Sequence, residues 1–168
     1  MHLELRTMNL QRTSLFFTWM VICSVLSLSS CKKKCVIDKE NTDSGWIEEN
    51  VIIYPTSGYL TDQMQGNYVV TGSSTLANRF EVSIDGGTKQ PVDYNNYTIL
   101  ACPVKSKCNA YFEREVSFNY VNQTVLYQIN VTQCKNCEEV RTTENYVLVP
   151  KFPSDYQVTY DVSITEIE

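Results

Sequence analysis

Thiols are the side chains of this sequence best suited to chemistry. Four of the seven cysteines fall in two short stretches, CPVKSKC (102–108) and CKNC (134–137). Disulfides between them would cross-link the loops that carry them, contributing roughly 2–4 kcal/mol each. Four thiolates would instead hold zinc, although only the second stretch has the short spacing of a zinc knuckle. A C-x-x-C pair would exchange disulfides if a helix N-terminus behind it favoured the thiolate. The residues that follow, EEVRTT (138–143), return to a strand pattern and set two carboxylates beside the pair, which disfavours that form. Structural disulfides are therefore the expectation, and a thiol–disulfide or metal–thiolate protein is the alternative. Cys35 is left over, either free or bridging two chains.

The elements that must position these thiols form a hairpin. Phe112, Val116, Phe118 and Tyr120 occupy even positions; Val125, Tyr127, Ile129 and Val131 occupy odd ones. If the chain reverses at residues 121–124, Phe118 falls opposite Tyr127 and both apolar sets share one face, as strand pairing requires. Arg114 interrupts the first set, at an edge or with its head carried out to water. Extended outward, the same register sets Cys108 opposite Cys137, with Cys102 and Cys134 close by. Four cysteines allow three pairings. The register favours Cys108–Cys137 with Cys102–Cys134; local closure, Cys102–Cys108 with Cys134–Cys137, is the rival.

Period-two patterning continues elsewhere. In QVTYDVSITEI (157–167) Val158, Tyr160, Val162 and Ile164 alternate with polar residues, predicting a strand with one buried face. RFEVSID (79–85) alternates in the same way, and Asp85-Gly86-Gly87 turns the chain. NVIIY (50–54), NYVV (67–70), YTILA (97–101) and NYVLV (145–149) are shorter candidates, and all five prolines are expected between strands. No stretch sustains a helical period. Many short strands with frequent turn signals predict an all-β fold: a single immunoglobulin-like β-sandwich of about eight antiparallel strands, with a closed barrel as second possibility.

The first thirty residues have a different character. Arg6 and Arg12 precede an apolar run of fifteen residues, Ser14–Leu28, which is signal-peptide length and short for a transmembrane helix. The run ends Leu28-Ser29-Ser30-Cys31, which resembles the lipobox of bacterial lipoproteins. That resemblance covers residues 8–31 alone. It implies cleavage before Cys31, a diacylglycerol on its thiol and an acyl group on its new amine, and hence a membrane anchor, since each buried methylene contributes about 0.8 kcal/mol. Lys32, in the place where an aspartate retains many such proteins at the inner membrane, implies the outer membrane of a bacterial envelope; the absence of an acidic tether of the kind that marks surface export in some bacteria favours a domain facing the periplasm. The expected organisation is a cleaved signal over 1–30, a lipidated polar tether over 31–48 and a sandwich over 49–168. An exported domain meets an oxidising compartment, which favours disulfides.

Composition narrows the function. The chain is acidic, with a formal net charge of −5, and it stays acidic without the signal; nucleic acid is not an expected partner. Its single histidine, His2, would leave with the signal. Ser-His-Asp and Cys-His catalysis and His-ligated metals are then excluded. No catalytic residue, cofactor or metal is implied, and a non-catalytic binding or structural role is expected. Asp93, Glu113 and Glu115 offer carboxylates, but the last two alternate along the polar side of a strand. Among eleven tyrosines, Tyr54 and Tyr59, together with Trp46, form a candidate platform for sugar rings or a peptide, the expected partner being a glycan or a protein.

Overall fold

The β-hairpin at the heart of the fold follows from the alternation described above. β7 (Ala110–Asn119) and β8 (Thr124–Cys134) pair antiparallel, with Phe112 opposite Val131 and Val116 opposite Tyr127. The register differs by two residues from the sequence expectation: Phe118 lies opposite Val125. The turn chemistry explains the slip. Asn119 Oδ1 accepts hydrogen bonds from the backbone N–H groups of Val121 and Asn122 at 3.1 and 3.0 Å, so the reversal spans residues 120–123, and Gln123 completes it at φ +52°. A two-residue slip preserves parity, so the apolar residues still share a face.

The computed structural model describes residues 35–56 and 66–168, and Cys35–Glu168 form one compact unit. The fold is an all-β sandwich whose strands form three sheets rather than two. A front sheet has the order β1-β7-β8-β10, where β1 is Thr42–Gly45 and β10 is Gln157–Ile167; both pair parallel to their neighbours. A middle sheet contains β3 (Tyr68–Val70), β6 (Tyr97–Lys107) and β9 (Val140–Pro150), in that order. A back sheet contains β2 (Val51–Pro55), β4 (Phe80–Ile84) and β5 (Gln90–Pro91). None of these orders closes on itself into a barrel.

Over residues 98–102 of β6 and 147–149 of β9 the middle sheet is buried on both faces. Leu100, Cys102, Val104, Val147 and Val149 meet Val116, Val125, Tyr127 and Ile129 of the front sheet. Ile99, Ala101 and Leu148, one residue out of phase, meet Phe80 and Val82 of the back sheet. Two departures from expectation follow from this layering. Pro103 lies inside β6, opposite Glu144, rather than between strands. Among the described residues β3 pairs only with 99–101 of β6, so no strand pairs with Pro103 on that side and a missing N–H is tolerated. In β10, Val158 and Tyr160 pack on the core, but Val162 and Ile164 are 39% and 48% exposed. β10 is an edge strand, and its lower half runs past the cover of the middle sheet.

Of the residues expected as a free tether, 35–48 belong to the compact unit. Asn41 Oδ1 accepts from Phe112 N–H at 3.0 Å, and Asp43 pairs with Arg114 at 2.7 Å, which gives the interrupting arginine its partner. At Gly45, φ is +83° and an added Cβ would meet the Val116 carbonyl oxygen at 2.1 Å, so β1 ends against β7 only because that residue is glycine.

Tyr127 is fully buried between the sheets, and among the described residues its hydroxyl has no hydrogen-bond partner. Burial pushes its pKa far up, with the Arg114 guanidinium opposing, so the group stays a neutral, unsatisfied hydroxyl. Such a group costs roughly 1–3 kcal/mol. Tyr127→Phe is therefore expected to stabilise the fold by about 1 kcal/mol in denaturant titrations. A destabilised variant would mean that the hydroxyl has a bonding role in solution.

Candidate binding groove and the cysteine end

The two ends of the sandwich differ in chemistry. At one end β6 and β8 finish while β7 and β9 begin, and the cysteines gather there. Cys108 is bonded to Cys137, and Cys134 to Cys35, each pair with Cα atoms 5.8 Å apart. The Cys102–Cys134 pairing expected from the sequence does not form. Cys102 sits in mid-strand opposite Asn145, 2% exposed within the core, whereas Cys134 ends β8 at the margin, where the incoming chain reaches it. Cys102 is a free thiol whose pKa burial pushes up to about 11, so it is inert at neutral pH. Cys35 is neither free nor available to a second chain. Among the described residues no group of three or more His, Cys, Asp or Glu side chains is placed to hold a metal.

At the opposite end lies an open groove of about 1040 Å³. Its walls are the Asp93–Asn95 loop ahead of β6, the segment 151–156 after β9, the first half of β10, and β3 with the loop that follows it. Phe152, Tyr94, Tyr156 and Tyr160 are the aromatic residues of its lining. Two of these rings are fixed by their hydroxyls: Tyr94 donates to the Ala77 carbonyl at 3.1 Å and Tyr160 to the Tyr68 carbonyl at 2.8 Å. Burial raises both phenols, Tyr94 to about 12, so both remain uncharged. Between the rings lie the amides of Asn67 and Asn95 and the hydroxyls of Thr71, Ser73 and Ser154. Among the described residues Lys151 is the one cation of the lining and Asp93 the one anion. Asp93 is already engaged by Asn95 N–H at 3.0 Å and the Asn96 amide at 2.7 Å, which set the loop.

The platform expected from Trp46, Tyr54 and Tyr59 is not assembled in that form. Trp46 follows β1 on the front sheet, while Tyr54 lies on β2 of the back sheet under the Lys89 ammonium, 3.9 Å from its ring centroid. Tyr59 lies outside the described residues, as do Cys31 and the whole signal segment. Trp46 instead begins a different row of rings. It meets Phe118 edge-on at 5.8 Å, Phe118 meets Phe152 at 5.7 Å, and Phe152 meets Tyr156 at 6.2 Å. The row thus reaches the groove, with Trp46 and Tyr120 48% and 61% exposed beside it. The other singled-out carboxylates are dispersed; Glu113 accepts from the Tyr111 hydroxyl at 2.9 Å.

Sequence reasoning missed the groove rings. Tyr160 matched the pattern of a buried strand residue, which it partly is. The available sign was local: aromatics within the loops DYNN (93–96) and KFPSDY (151–156), where a ring has no strand face to bury. No family model matches the chain, and none of the curated proteins or solved structures searched resembles it. Among the described residues no helix is long and apolar enough to cross a membrane.

The two disulfides close loops of different length, with sequence separations of 99 and 29 residues. Chain entropy assigns about 4.7 kcal/mol to the longer and about 3.6 kcal/mol to the shorter. The paired variant Cys35→Ser/Cys134→Ser is therefore expected to lower the unfolding free energy more than Cys108→Ser/Cys137→Ser in urea titrations. The reverse order would show that the N-terminal clamp is not coupled to global unfolding.

Proposed function

We propose that this chain is a lipid-anchored binding protein of the bacterial cell envelope, without catalytic activity, whose groove takes a neutral glycan. The observation that carries the reading is the makeup of the groove. Ring faces held by their own hydroxyls offer stacking surfaces at low entropic cost. The amides and hydroxyls between them match the donors and acceptors of sugar hydroxyls. One cation and one already engaged anion leave little to attract a charged ligand. An open trough suits a chain molecule better than a small metabolite, which is usually enclosed.

The anchor rests on the resemblance of Leu28-Ser29-Ser30-Cys31 to a lipobox. The fold adds a geometric reason for the combination. The Cys35–Cys134 bond sets the N-terminal segment at the cysteine end, and the groove lies at the other. The eleven residues of β8 separate the ends by about 35 Å. A lipid on Cys31 would thus hold the groove away from the bilayer.

The test is affinity electrophoresis of the full chain in gels containing amylopectin, xyloglucan, galactomannan or laminarin. At least one is expected to retard it; Tyr156→Ala is expected to weaken that retardation at least tenfold and Tyr54→Ala to leave it unchanged. Free migration of the folded protein in all four would overturn the glycan reading. Radiolabelled palmitate incorporation in a bacterial host, abolished by Cys31→Ser, tests the anchor separately.

A further inference from the structure

The two disulfides share one turn. Cys134 and Cys137 are its first and last residues, and Cys137 N–H donates to the Cys134 carbonyl at 3.4 Å. Each cysteine is bonded elsewhere, to Cys35 and Cys108 respectively. A four-residue turn brings its end Cα atoms within about 7 Å. A disulfide spans roughly 4.4–6.8 Å between Cα atoms. The two cysteines of the turn are therefore placed to bond each other with little backbone movement.

The turn is held from both sides. Cys134 N–H donates to the Asn109 carbonyl at 3.3 Å, Lys135 N–H to the Ile167 carbonyl at 2.9 Å, and the Lys107 ammonium to the Lys135 carbonyl at 3.0 Å. The accessibilities are unequal. Cys134 is 2% exposed, while Cys35, Cys108 and Cys137 are half-buried. A reductant from solution thus meets both sulfurs of the Cys108–Cys137 bond, but only the Cys35 side of the other bond, where the Cys134 sulfur is shielded. The residue poised to reach that sulfur is Cys137, from within the same turn.

We propose that the CKNC turn is a disulfide-exchange site through which an external dithiol releases the N-terminal segment from the sandwich. The dithiol reduces Cys108–Cys137, becoming a disulfide itself and leaving Cys108 as a thiol and Cys137 as a thiolate. The Cys137 thiolate attacks Cys134 Sγ; the Cys134–Cys137 bond forms as the Cys35–Cys134 bond breaks. Cys35 departs as a thiolate and takes a proton from water. Two electrons enter, one protein disulfide remains, and the chain has changed its pairing. Intramolecular attack needs no depressed thiol pKa, because the turn supplies a high effective concentration. The outcome is mechanical: the segment that begins at Cys35 is freed from β8, so the groove-bearing sandwich rides on a longer leash. The proposal does not depend on what the groove binds.

The test treats the full oxidised chain in detergent with one equivalent of dithiothreitol, then blocks free thiols with iodoacetamide and maps disulfides by mass spectrometry. Trypsin cuts after Lys135 and so separates Cys134 from Cys137. The expected result is a Cys134–Cys137 cross-linked peptide pair, with Cys35 and Cys108 alkylated. In Cys137→Ser the same treatment is expected to leave Cys35–Cys134 intact. Cys108→Ser, which has a free Cys137 from the start, is expected to show alkylated Cys35 with no reductant added. Retention of Cys35–Cys134 in the treated parent chain, or equal release of Cys35 in Cys137→Ser, would overturn the relay.

Discussion

Burial of β6 and the second half of β9 on both faces is the constraint on which the rest depends. A strand covered on both sides has no polar face, so both strands must be apolar at consecutive positions, and each apolar set must find its own sheet. Leu100, Val147 and Val149 turn to the front; Ile99, Ala101 and Leu148 turn to the back. Each such side chain contributes roughly 1.5–3 kcal/mol when fully buried. The polar groups forced into this layer are few. Asn145, 1% exposed, donates to the Thr143 carbonyl at 3.1 Å and to that of Cys102 at 3.4 Å. Because the middle layer is rigid and apolar, its ends are where loops, cysteines and exposed rings collect.

The double burial also explains what the sequence could and could not reveal. The hairpin was legible because one face is dry and the other wet, so parity survived an error of two residues in register. YTILA and NYVLV lack alternation, which marks them as strands but hides which sheets they separate; a two-sheet sandwich was the natural inference from the alternating segments. β10 misled in the opposite sense. Its alternation is perfect to Ile164, yet Val162 and Ile164 stand beyond the covering layer, and nothing local in the sequence says where a neighbouring sheet ends. A missing N–H is costly in a central strand, which argues for Pro103 outside one, but among the described residues no strand pairs with β6 on the β3 side at that position.

The cysteines show the same division between local and distant information. Cys108–Cys137 emerged from extending the hairpin, a local construction. Cys35–Cys134 joins residues 99 apart, and no periodicity connects them. Once Cys35 takes Cys134, Cys102 has no partner at the margin and serves as an apolar side chain of the core. The groove is likewise a product of tertiary assembly. Its walls come from strands β3 and β10 and three connecting segments, and what unites them is the shared end of the layers rather than any motif. The expected grouping of Trp46 with Tyr54 relied on closeness in sequence, and the chain crosses from the front sheet to the back between them.

The attachment of the N-terminal segment can be weighed by its components. β1 has four residues, all exposed, at the edge of the front sheet, and its ladder to β7 is parallel. Its Asp43–Arg114 ion pair is partly solvated, and such pairs contribute about 0–1 kcal/mol. Against this stands the conformational cost of ordering the segment, roughly 1–2 kcal/mol per residue for backbone alone. Side-chain packing offsets little of that cost before Ile47 reaches the core. The covalent bond at Cys35 therefore dominates, since it makes docking of the segment intramolecular over a short span. The order of residues 35–45 is thus conditional on one disulfide, whereas the order of the sheets behind them is set by burial and is not.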